Sequence, residues 1–350
     1  MSEIVIAGRR IAAGRPPLIV AELSGNHNGS LAQALAIVDA AAEAGAHAVK
    51  LQTYTADTMT LDLPDPAFAI DDASSLWNGR SLYELYREAA TPWEWHGPLF
   101  ERCRARGVIP FSTPFDASAV ELLERLGAPA YKIASFEITD LPLIERVAAT
   151  GKPLLISTGM ADIAEIDEAV RAARRAGCDA LILLKCTSAY PAPPSSINLR
   201  TIPHMRELFG VDVGLSDHSP GIGVAVAAVA LGASVIEKHV TLSRAAGGVD
   251  AAFSIEPREL RDLVAETARA SEALGHVHYG ASQADRASLR FRRSLHVVED
   301  LEPGAALTEW NLRAIRPGGG LAPKYLPVLL GRRVVREVKR GTPVDWSFIA

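Results

Sequence analysis

Short apolar runs alternate with alanine-rich segments of helical periodicity between residues 17 and 240 of this 350-residue chain. Such alternation is typical of parallel strands joined by crossover helices, of which Leu31 to Ala44, ended by Gly45, is one. Eight repeats favour an α/β fold closed into a (β/α)8, or TIM, barrel. The predicted strands are Leu18 to Leu23, Ala48 to Gln52, Val108 to Ser112, Ala130 to Ile133, Pro153 to Ser157, Ala180 to Lys185, Val211 to Leu215 and Ser234 to Lys238.

Three parts of the chain lie outside this alternation. Ile4 to Ile11 is predicted to form a hairpin ahead of the barrel, which gives a first domain over residues 1–275. Residues 55–92 are a long insertion, and long loops of this kind are often active-site lids. Residues 276–293 are a predicted polar linker, and 294–350 a small β-rich domain with strand-like runs at Ser294 to Val298 and Arg332 to Val338.

Composition excludes several classes of function. The net charge of −5 is spread without basic blocks, which argues against binding nucleic acid or an anionic membrane. The three cysteines lack CxxC spacing, so we expect no disulfide framework and no thiolate zinc site, and we predict a reducing cytoplasm. The first residues do not read as a secretory signal, and the longest apolar stretch is shorter than the ~18 residues of a membrane span.

Polar side chains follow the end of every predicted strand. In a barrel of parallel strands these ends meet at one rim, which is where enzymes of this architecture place their chemistry. One polar residue at such a position is more often a structural cap, but eight sets together indicate a functional site. The sets are Glu22; Lys50 and Gln52; Ser112 and Thr113; Lys132, Ser135 and Glu137; Ser157 and Thr158; Lys185, Ser188 and Tyr190; Ser216, Asp217 and His218; and Glu237, Lys238 and His239.

Two of these residues form a candidate metal site. His218 and His239 are separated by one helix-sized crossover, so we predict them at the same end of adjacent strands, within reach of one ion. With no thiolate or obvious third protein ligand, water and substrate oxygens would complete the shell. This favours manganese, cobalt or magnesium over a closed zinc site. His27, in the loop after the first strand, is a further candidate for the wall of the site.

Three lysines are predicted to face the same confined site. Bulk water cannot solvate the ammonium groups of Lys50, Lys132 and Lys185 well there, so a phosphate or carboxylate is the natural partner. Serine hydroxyls and turn N–H groups at this rim add donors of the kind that barrels use for phosphate. The alternative is that one lysine forms a Schiff base with a carbonyl substrate, which would make a histidine-bound metal unnecessary.

Seven short segments carry a pattern that is highly specific when taken together. They are Ala21 to Gly29, Val49 to Thr53, Phe111 to Phe115, Tyr131 to Ser135, Ser157 to Met160, Gly214 to His218 and Glu237 to His239. The pattern resembles that of the sialic acid synthases, whose barrel is followed by an antifreeze-like (SAF) domain. The resemblance covers nearly the whole chain, and it implies a C-terminal SAF domain over residues 294–350.

Within that family, four stretches resemble the pseudaminic acid branch more than the neuraminic or legionaminic branches. The neuraminic branch usually has Gly-Pro-Asp where this chain has Gly-Val-Asp at 248–250. The chain departs from the pattern at Ala246, where an acidic residue is expected, and at Ser188, where neuraminic enzymes commonly have asparagine. The four stretches are Thr91 to His96, Ser135 to Asp140, Cys186 to Pro193, and Leu242 to Asp250 with Phe253 to Pro257.

The resemblance implies a role for each matching residue. Arg316 is similar to an arginine that the family reaches into the partner subunit's barrel, which implies a domain-swapped homodimer. The catalytic group would be Glu22, Glu137, Asp217, His218 and His239, with the two histidines as metal ligands. The residues implied to hold phosphoenolpyruvate are Lys50, Thr113, Lys132, Ser135, Ser157, Ser188 and Ser216. Those implied to contact an N-acetylated amino sugar are Glu22, Gln52, Glu137, Tyr190 and Asp250.

The implied reaction condenses phosphoenolpyruvate with an open-chain amino sugar and water, giving a nonulosonic acid and phosphate. The branch resemblance predicts 2,4-diacetamido-2,4,6-trideoxy-L-altrose as the sugar and pseudaminic acid as the product. The alternatives are an N-acetylneuraminate or legionaminate synthase, a Schiff-base lysine aldolase, and a noncatalytic carbohydrate-binding protein.

Overall fold

Eight parallel strands close into a barrel in the first of the two units of the chain. The computed structural model describes residues 4–73 and 75–350. The first unit ends at Gly275, and the second is His276–Ala350. A hairpin of β1 (Ile4–Ile6) and β2 (Arg9–Ile11) precedes the barrel, as predicted. The barrel strands are β3 (Leu18–Glu22), β4 (Ala48–Thr53), β5 (Ile109–Pro114), β6 (Tyr131–Ile133), β7 (Leu154–Ser157), β8 (Leu181–Cys186), β9 (Asp212–Asp217) and β10 (Val235–His239).

Each barrel strand pairs in parallel with the next, and β10 pairs with β3 to close the cylinder. The predicted TIM barrel is therefore confirmed, and each predicted strand lies within about two residues of an observed one. The α-helices of the first unit surround the barrel, apart from the second and third, which lie in the insertion. They are α1 (Leu31–Ala44), α2 (Ala56–Met59), α3 (Leu82–Ala89), α4 (Trp93–Ala105), α5 (Ala117–Arg125), α6 (Leu141–Ala148), α7 (Ile163–Arg175), α8 (Thr201–Phe209), α9 (Gly223–Ala230) and α10 (Pro257–Leu274).

Helix α1 begins and ends where its sequence signals indicate. The hydroxyl of Ser30 accepts a hydrogen bond from the Gln33 amide at 3.3 Å, which caps the first turn. Gly45 follows the last turn with φ of +88°, a conformation that glycine adopts without a steric penalty. The predicted bounds of this crossover are therefore confirmed.

In the described part of the chain, no helix combines the length and apolar character that a membrane crossing requires.

The barrel interior is apolar at the N-terminal ends of the strands. There the hairpin residues Ile4, Ile6 and Ile11 pack against inward-facing strand residues, which fills this end of the cylinder. The inward positions become polar toward the C-terminal ends of the same strands, so the functional groups lie on a packed floor. The strand residues of this apolar cluster are Leu18, Val20, Ala48, Phe111, Ala130, Leu155, Ile182, Leu184 and Val235.

Close packing inside the cylinder also explains one glycine. A Cβ added at Gly214 would lie 2.4 Å from the Val235 carbonyl oxygen and 2.7 Å from Leu184 Cδ2. No side chain fits between those two strands at this level, so β8, β9 and β10 can approach one another only with glycine there.

The second unit is built around a small antiparallel sheet. Strands β11 (Ser294–Val297) and β12 (Leu312–Ile315) pair with each other, and one short helix, α11 (Leu326–Leu329), follows. The strand at Ser294 is confirmed, whereas the strand expected over Arg332 to Val338 is wrong. That run forms only isolated bridges, and Arg336, which lies midway between the buried Val334 and Val338, is exposed, so the two-residue alternation of a half-buried strand is not kept.

Candidate active site

A cavity of about 560 Å³ lies at the C-terminal ends of the barrel strands. Strand ends and the loops that follow them form its inner part, and the insertion forms its outer part. The structure therefore brings most of the predicted site residues together around one space. Those that line it are Lys50, Gln52, Lys132, Ser135, Glu137, Ser157, Ser188, Tyr190, Ser216, His218, His239 and Asp250.

Two buried lysines and two buried glutamates meet at the bottom of this cavity. Lys50 forms an ion pair with Glu22, and its Nζ also lies 3.1 Å from Thr113 Oγ1 and 3.8 Å from Glu237 Oε2. The Nζ of Lys132 lies 3.6 Å from Glu237 Oε1. We call Glu22, Lys50, Lys132 and Glu237 the charge quartet. Glu22 and Thr113 do not themselves line the cavity, but both contact Lys50, which does.

Glu237, one of the polar residues predicted at the strand ends but given no role of its own there, is the counter-charge of both lysines. Burial opposes its ionisation, but the charges of Lys132 and Lys50 outweigh that penalty and lower its pKa below the ordinary value. Burial lowers the pKa of Lys132, and Glu237 opposes that change. The quartet holds two positive and two negative groups when all are ionised. A dianion that enters the cavity thus competes with carboxylates for the two ammonium groups.

Several hydroxyl groups surround the lysines. Ser216 Oγ donates to Glu237 Oε1 at 2.9 Å, and Ser135 Oγ accepts from the Gly159 amide at 3.1 Å. Ser157 and Ser188 have buried hydroxyl oxygens with no hydrogen-bond partner among the described residues. Buried donors without partners are unfavourable, so these two hydroxyls are suited to oxygens of a bound ligand. These contacts leave the cavity rich in groups that can bind phosphate.

Residue 159 must be a glycine because two of these serine hydroxyls lie too close to it for a side chain. A Cβ at this position would lie 2.3 Å from Ser188 Oγ and 2.7 Å from Ser135 Oγ. The loop after β7 can therefore approach both serines only because residue 159 has no side chain.

The rings of His218 and His239 lie side by side in the cavity wall, with centroids 5.2 Å apart. His218 Nδ1 lies 3.1 Å from the Thr187 carbonyl oxygen, an arrangement that places the proton on Nδ1 and leaves Nε2 as the free lone pair. Burial and the neighbouring His218 lower the pKa of His239 far below its ordinary value, so its imidazole is neutral. The Nδ1 of His239 is buried without a hydrogen-bond partner among the described residues.

Burial opposes protonation of His218, but Cys186 outweighs that effect and raises the pKa of this imidazole. Once His218 has lost its proton, it and the neutral His239 offer two nitrogen lone pairs that fit a divalent cation. In the described residues there is no group of three or more His, Cys, Asp or Glu side chains arranged around an ion. The protein would thus supply two nitrogens, and water or substrate oxygens would complete the shell.

A buried cysteine, Cys186, adjoins the imidazole pair. Its Sγ lies 3.9 Å from His218 Nδ1, and the side chain lines the cavity. Burial opposes ionisation of the thiol, but His218 lowers its pKa to about 7. Lys185, which was predicted to face the site, does not line the cavity, so that prediction is wrong. Leu184 and Cys186 point into the barrel, so Lys185 points outward, where its Nζ donates to the Cys186 carbonyl at 2.7 Å.

Asp217 and His27 also lie away from the cavity. The buried carboxylate of Asp217 accepts from Lys238 Nζ at 2.8 Å and from the Ser219 amide at 2.9 Å, and Lys238 Nζ reaches the Ser219 carbonyl at 2.6 Å. This network fixes the loop that carries His218. His27 was a further candidate for the wall, but it is buried against Trp95, and its Nε2 lies 3.2 Å from the Ala89 carbonyl.

Aromatic rings cover the imidazole pair. The ring centroid of Tyr190 lies 4.5 Å from that of His218, and the ring of Phe253 lies 4.9 Å from that of His239. Trp77, in the insertion, lies 5.7 Å from Tyr190. The contribution of Trp77 could not be predicted, since no sequence signal connects the insertion to a loop more than a hundred residues away.

Asp250 lies beside the imidazoles in a hydrogen-bonded arrangement with the loop after β3. It accepts from the Ser24 hydroxyl and from the Gly25 amide at 3.4 Å, and Gln52 Nε2 donates to Ser24 Oγ at 3.1 Å. Its Oδ2 lies 3.9 Å from His239 Nδ1. Ser24 is a further lining residue that was not predicted as part of the site.

Glu137 lies at the edge of the cavity, in the loop after β6. Burial raises the pKa of its carboxyl to about 7, and Lys132 opposes this only in part. Its Oε2 has no hydrogen-bond partner among the described residues. The carboxyl can therefore donate or accept a proton near neutral pH.

Arg316, by contrast, lies in the second unit just after β12, with an exposed side chain.

The raised pKa of Glu137 predicts a pH-dependent stability. A carboxyl whose pKa is higher in the folded than in the unfolded protein contributes stability below the unfolded value near 4.5, and this is lost as the pH rises to about 7. Glu137→Gln removes that contribution, so the decline in the free energy of unfolding between pH 5 and pH 8 becomes smaller by up to about 3 kcal/mol. Urea titrations of both proteins at the two pH values measure it. An identical decline in the two proteins would contradict the assignment.

Comparison with known proteins decides the family. The sequence profile of the NeuB family matches residues 37–279, which is more than half of the chain. The chain belongs to the NeuB family. A SAF domain profile matches residues 292–350, so this NeuB family member carries the C-terminal SAF domain that the resemblance implied.

Curated relatives and a solved structure agree with this membership. A pseudaminic acid synthase of Helicobacter pylori is 44% identical over 95% of this chain and 97% of its own length. An N,N'-diacetyllegionaminic acid synthase of Campylobacter jejuni is 34% identical over 92% of this chain and 97% of its own length. The structure of an N-acetylneuraminic acid synthetase from Leptospira borgpetersenii, in complex with citrate, covers 83% of this chain and 96% of its own, with 32% identity and a TM-score of 0.73. The resemblance to the sialic acid synthases is confirmed.

Proposed function

We propose that this NeuB family member condenses phosphoenolpyruvate with 2,4-diacetamido-2,4,6-trideoxy-L-altrose and water, giving pseudaminic acid and phosphate. The observation that carries the proposal is the arrangement of two buried lysines and several serine hydroxyls beside the imidazoles of His218 and His239 in one cavity. The product assignment is supported by the higher identity to a pseudaminic acid synthase than to a legionaminic acid synthase, 44% against 34%. N-acetylneuraminate or legionaminate synthesis is the alternative with the same chemistry.

The residues of the inner cavity are suited to hold phosphoenolpyruvate. Lys50 and Lys132 would bind its phosphate, with hydroxyls of Ser157, Ser188 and Ser216 around them. Thr113 and Ser135 belong to the same set. Thr113 accepts a hydrogen bond from Lys50, and Ser135 accepts one from the Gly159 amide. Donors fixed before the reaction stabilise developing phosphate charge without reorganising, an effect commonly worth several kcal/mol.

His218 and His239 would hold a divalent metal, which we propose to be manganese, cobalt or magnesium. Such an ion supplies Lewis acidity toward the aldehyde oxygen of the sugar. The two imidazoles would hold the ion, while Gln52, Tyr190 and Asp250 would orient the sugar. Asp217 has an indirect role, because its ion pair with Lys238 fixes the position of the loop that carries His218.

The methylene carbon of phosphoenolpyruvate bonds to the aldehyde carbon, whose oxygen gains a proton, and positive charge develops at the phosphate-bearing carbon. Water adds there and gives up one proton, which leaves a hydroxyl on that carbon. The hydroxyl then forms the keto group as the C–O bond to phosphate breaks, and its proton leaves with inorganic phosphate. Glu22 and Glu137 are the carboxylates proposed to exchange these protons. Burial raises the pKa of both, which suits that task.

Phosphate release with defined sugars tests the proposal. Incubation with phosphoenolpyruvate and a panel of altrose- and mannose-configured acetamido hexoses should release phosphate fastest with the 2,4-diacetamido altro sugar. Fastest release with N-acetylmannosamine would transfer the assignment to the neuraminate branch. Borohydride trapping of a covalent pyruvate or sugar adduct on a lysine would support the Schiff-base aldolase instead.

We also propose a domain-swapped homodimer in the cytoplasm. Arg316 carries an exposed guanidinium and would bind the N-acetyl group of the sugar in the barrel of a second copy. The three cysteines are buried and unpaired, which is usual in a reducing compartment.

A further inference from the structure

Two kinds of side chain line the active-site cavity, and they come from different parts of the chain. Strand ends contribute the lysines, serines and imidazoles described above. The insertion contributes mainly apolar groups, alongside Asp72, Tyr86 and Ala89. We call the large apolar residues of the insertion the outer wall. They are Met59, Ile70, Trp77, Leu82 and Leu85.

Several contacts fix the outer wall in place. Trp77 Nε1 donates to the Val249 carbonyl at 2.9 Å, in the loop that also carries Asp250. The backbone of Ile70 forms two hydrogen bonds, one from its amide to the Arg80 carbonyl at 2.9 Å and one from the Gly79 amide at 2.8 Å. Contacts within the protein therefore hold the wall to the same surface as the imidazole pair.

The outer wall offers apolar contact without a positive charge. Met59, Ile70 and Leu82 are half-buried, so part of each side chain remains available to a bound molecule. Among the described residues, the only lysine or arginine side chains that line the cavity are Lys50 and Lys132, which belong to the charge quartet. A second phosphate on a substrate would find no cation at this wall.

We propose that the outer wall binds the C6 end of the open-chain sugar and makes the enzyme selective for 6-deoxy hexoses. This inference rests on the proposed function and adds the residues that determine which sugars are accepted. A methyl group at C6 gains apolar contact there. A 6-hydroxyl placed against the side chains of Met59, Ile70 or Leu82 loses water without gaining a hydrogen bond from them, and a 6-phosphate there loses far more. Discrimination of this kind, by an apolar surface against one hydroxyl, amounts to about 10- to 100-fold.

Binding of two sugar alcohols tests the selectivity directly. The alditols of 2,4-diacetamido-2,4,6-trideoxy-altrose and of its 6-hydroxy counterpart lack the aldehyde, so calorimetry can be carried out with phosphoenolpyruvate present and without turnover. The wild-type protein should bind the 6-deoxy alditol about 10- to 100-fold more tightly. Ile70→Asn and Leu82→Asn should each reduce that ratio by about tenfold or abolish it.

Leu61→Asn is the matched control, since Leu61 lies in the same insertion, is 58% exposed and is not among the residues that line the cavity. Its ratio should equal that of the wild type. Equal affinities for the two alditols in the wild type, or an unchanged ratio in both wall variants, would overturn the inference. Phosphate release with the aldehyde forms separates the two proposals. Equal release from both sugars overturns the selectivity alone, and release from neither overturns the proposed function as well.

Discussion

Replacing His239 with glutamine should lower kcat/KM for phosphate release by about 10³-fold and abolish binding of manganese. The neutral imidazole of His239 has an unpartnered Nδ1 in the cavity wall, 5.2 Å between ring centroids from His218. One imidazole alone leaves too few protein ligands for a specific ion. Calorimetric titration with manganese measures binding without reference to turnover, and treatment with a chelator should inactivate the wild type until manganese is restored.

His204→Gln provides the matched control for this change. His204 is exposed on α8 and does not line the active-site cavity, so its loss should leave both metal binding and kcat/KM unchanged. Full turnover by chelator-treated wild type would contradict a metal at the imidazole pair.

Glu237→Gln should destabilise the unliganded protein by about 3–5 kcal/mol, the usual cost of removing one partner from a buried ion pair. Glu237 faces both lysines of the charge quartet, at 3.6 Å and 3.8 Å, so the variant leaves a net positive charge in the bottom of the cavity. Inorganic phosphate can compensate that charge. Thermal unfolding should therefore show a lower midpoint for the variant alone and a larger upward shift on adding phosphate than in the wild type.

Glu124→Gln is the comparison for this second change. Glu124 pairs with Lys152 at the protein surface, where both side chains remain accessible to water. It also accepts a hydrogen bond from the Tyr131 hydroxyl, which the amide oxygen of a glutamine can accept as well. Such pairs contribute about 0–1 kcal/mol to the free energy of unfolding, so the unfolding midpoint of this variant should barely move. Added phosphate should raise that midpoint by the same amount as in the wild type. If Glu237→Gln behaved like Glu124→Gln, the charge quartet would not hold the electrostatic role assigned to it.

Most of the barrel could be predicted from the sequence because its signals are local. The alternation of apolar runs with helical segments locates β3 to β10, and glycines such as Gly45 mark where helices end. The hairpin at Ile4 was likewise predictable. In the second unit the signals are weaker, and β12 was not predicted because Leu312–Ile315 contains only one buried residue.

The site was harder to predict because successive side chains of a strand point alternately into and out of the barrel, and only those that point inward enter the site. A shift of one residue moves a side chain from the interior of the barrel to its outside. Cys186 enters and Lys185 does not, and Ser216 enters while Asp217 pairs outward with Lys238. The outer wall depends on contacts between distant segments, such as that of Trp77 with Val249, which no local pattern encodes.

The hairpin of β1 and β2 has a kinetic consequence. Since Ile4, Ile6 and Ile11 occupy one end of the cylinder, molecules reach the charge quartet only from the opposite end, past the imidazoles and the outer wall. On the proposed function, phosphoenolpyruvate must arrive before the sugar, and phosphate cannot depart until the nonulosonic acid has gone. Steady-state kinetics should accordingly follow a compulsory sequence, with inorganic phosphate competing against phosphoenolpyruvate.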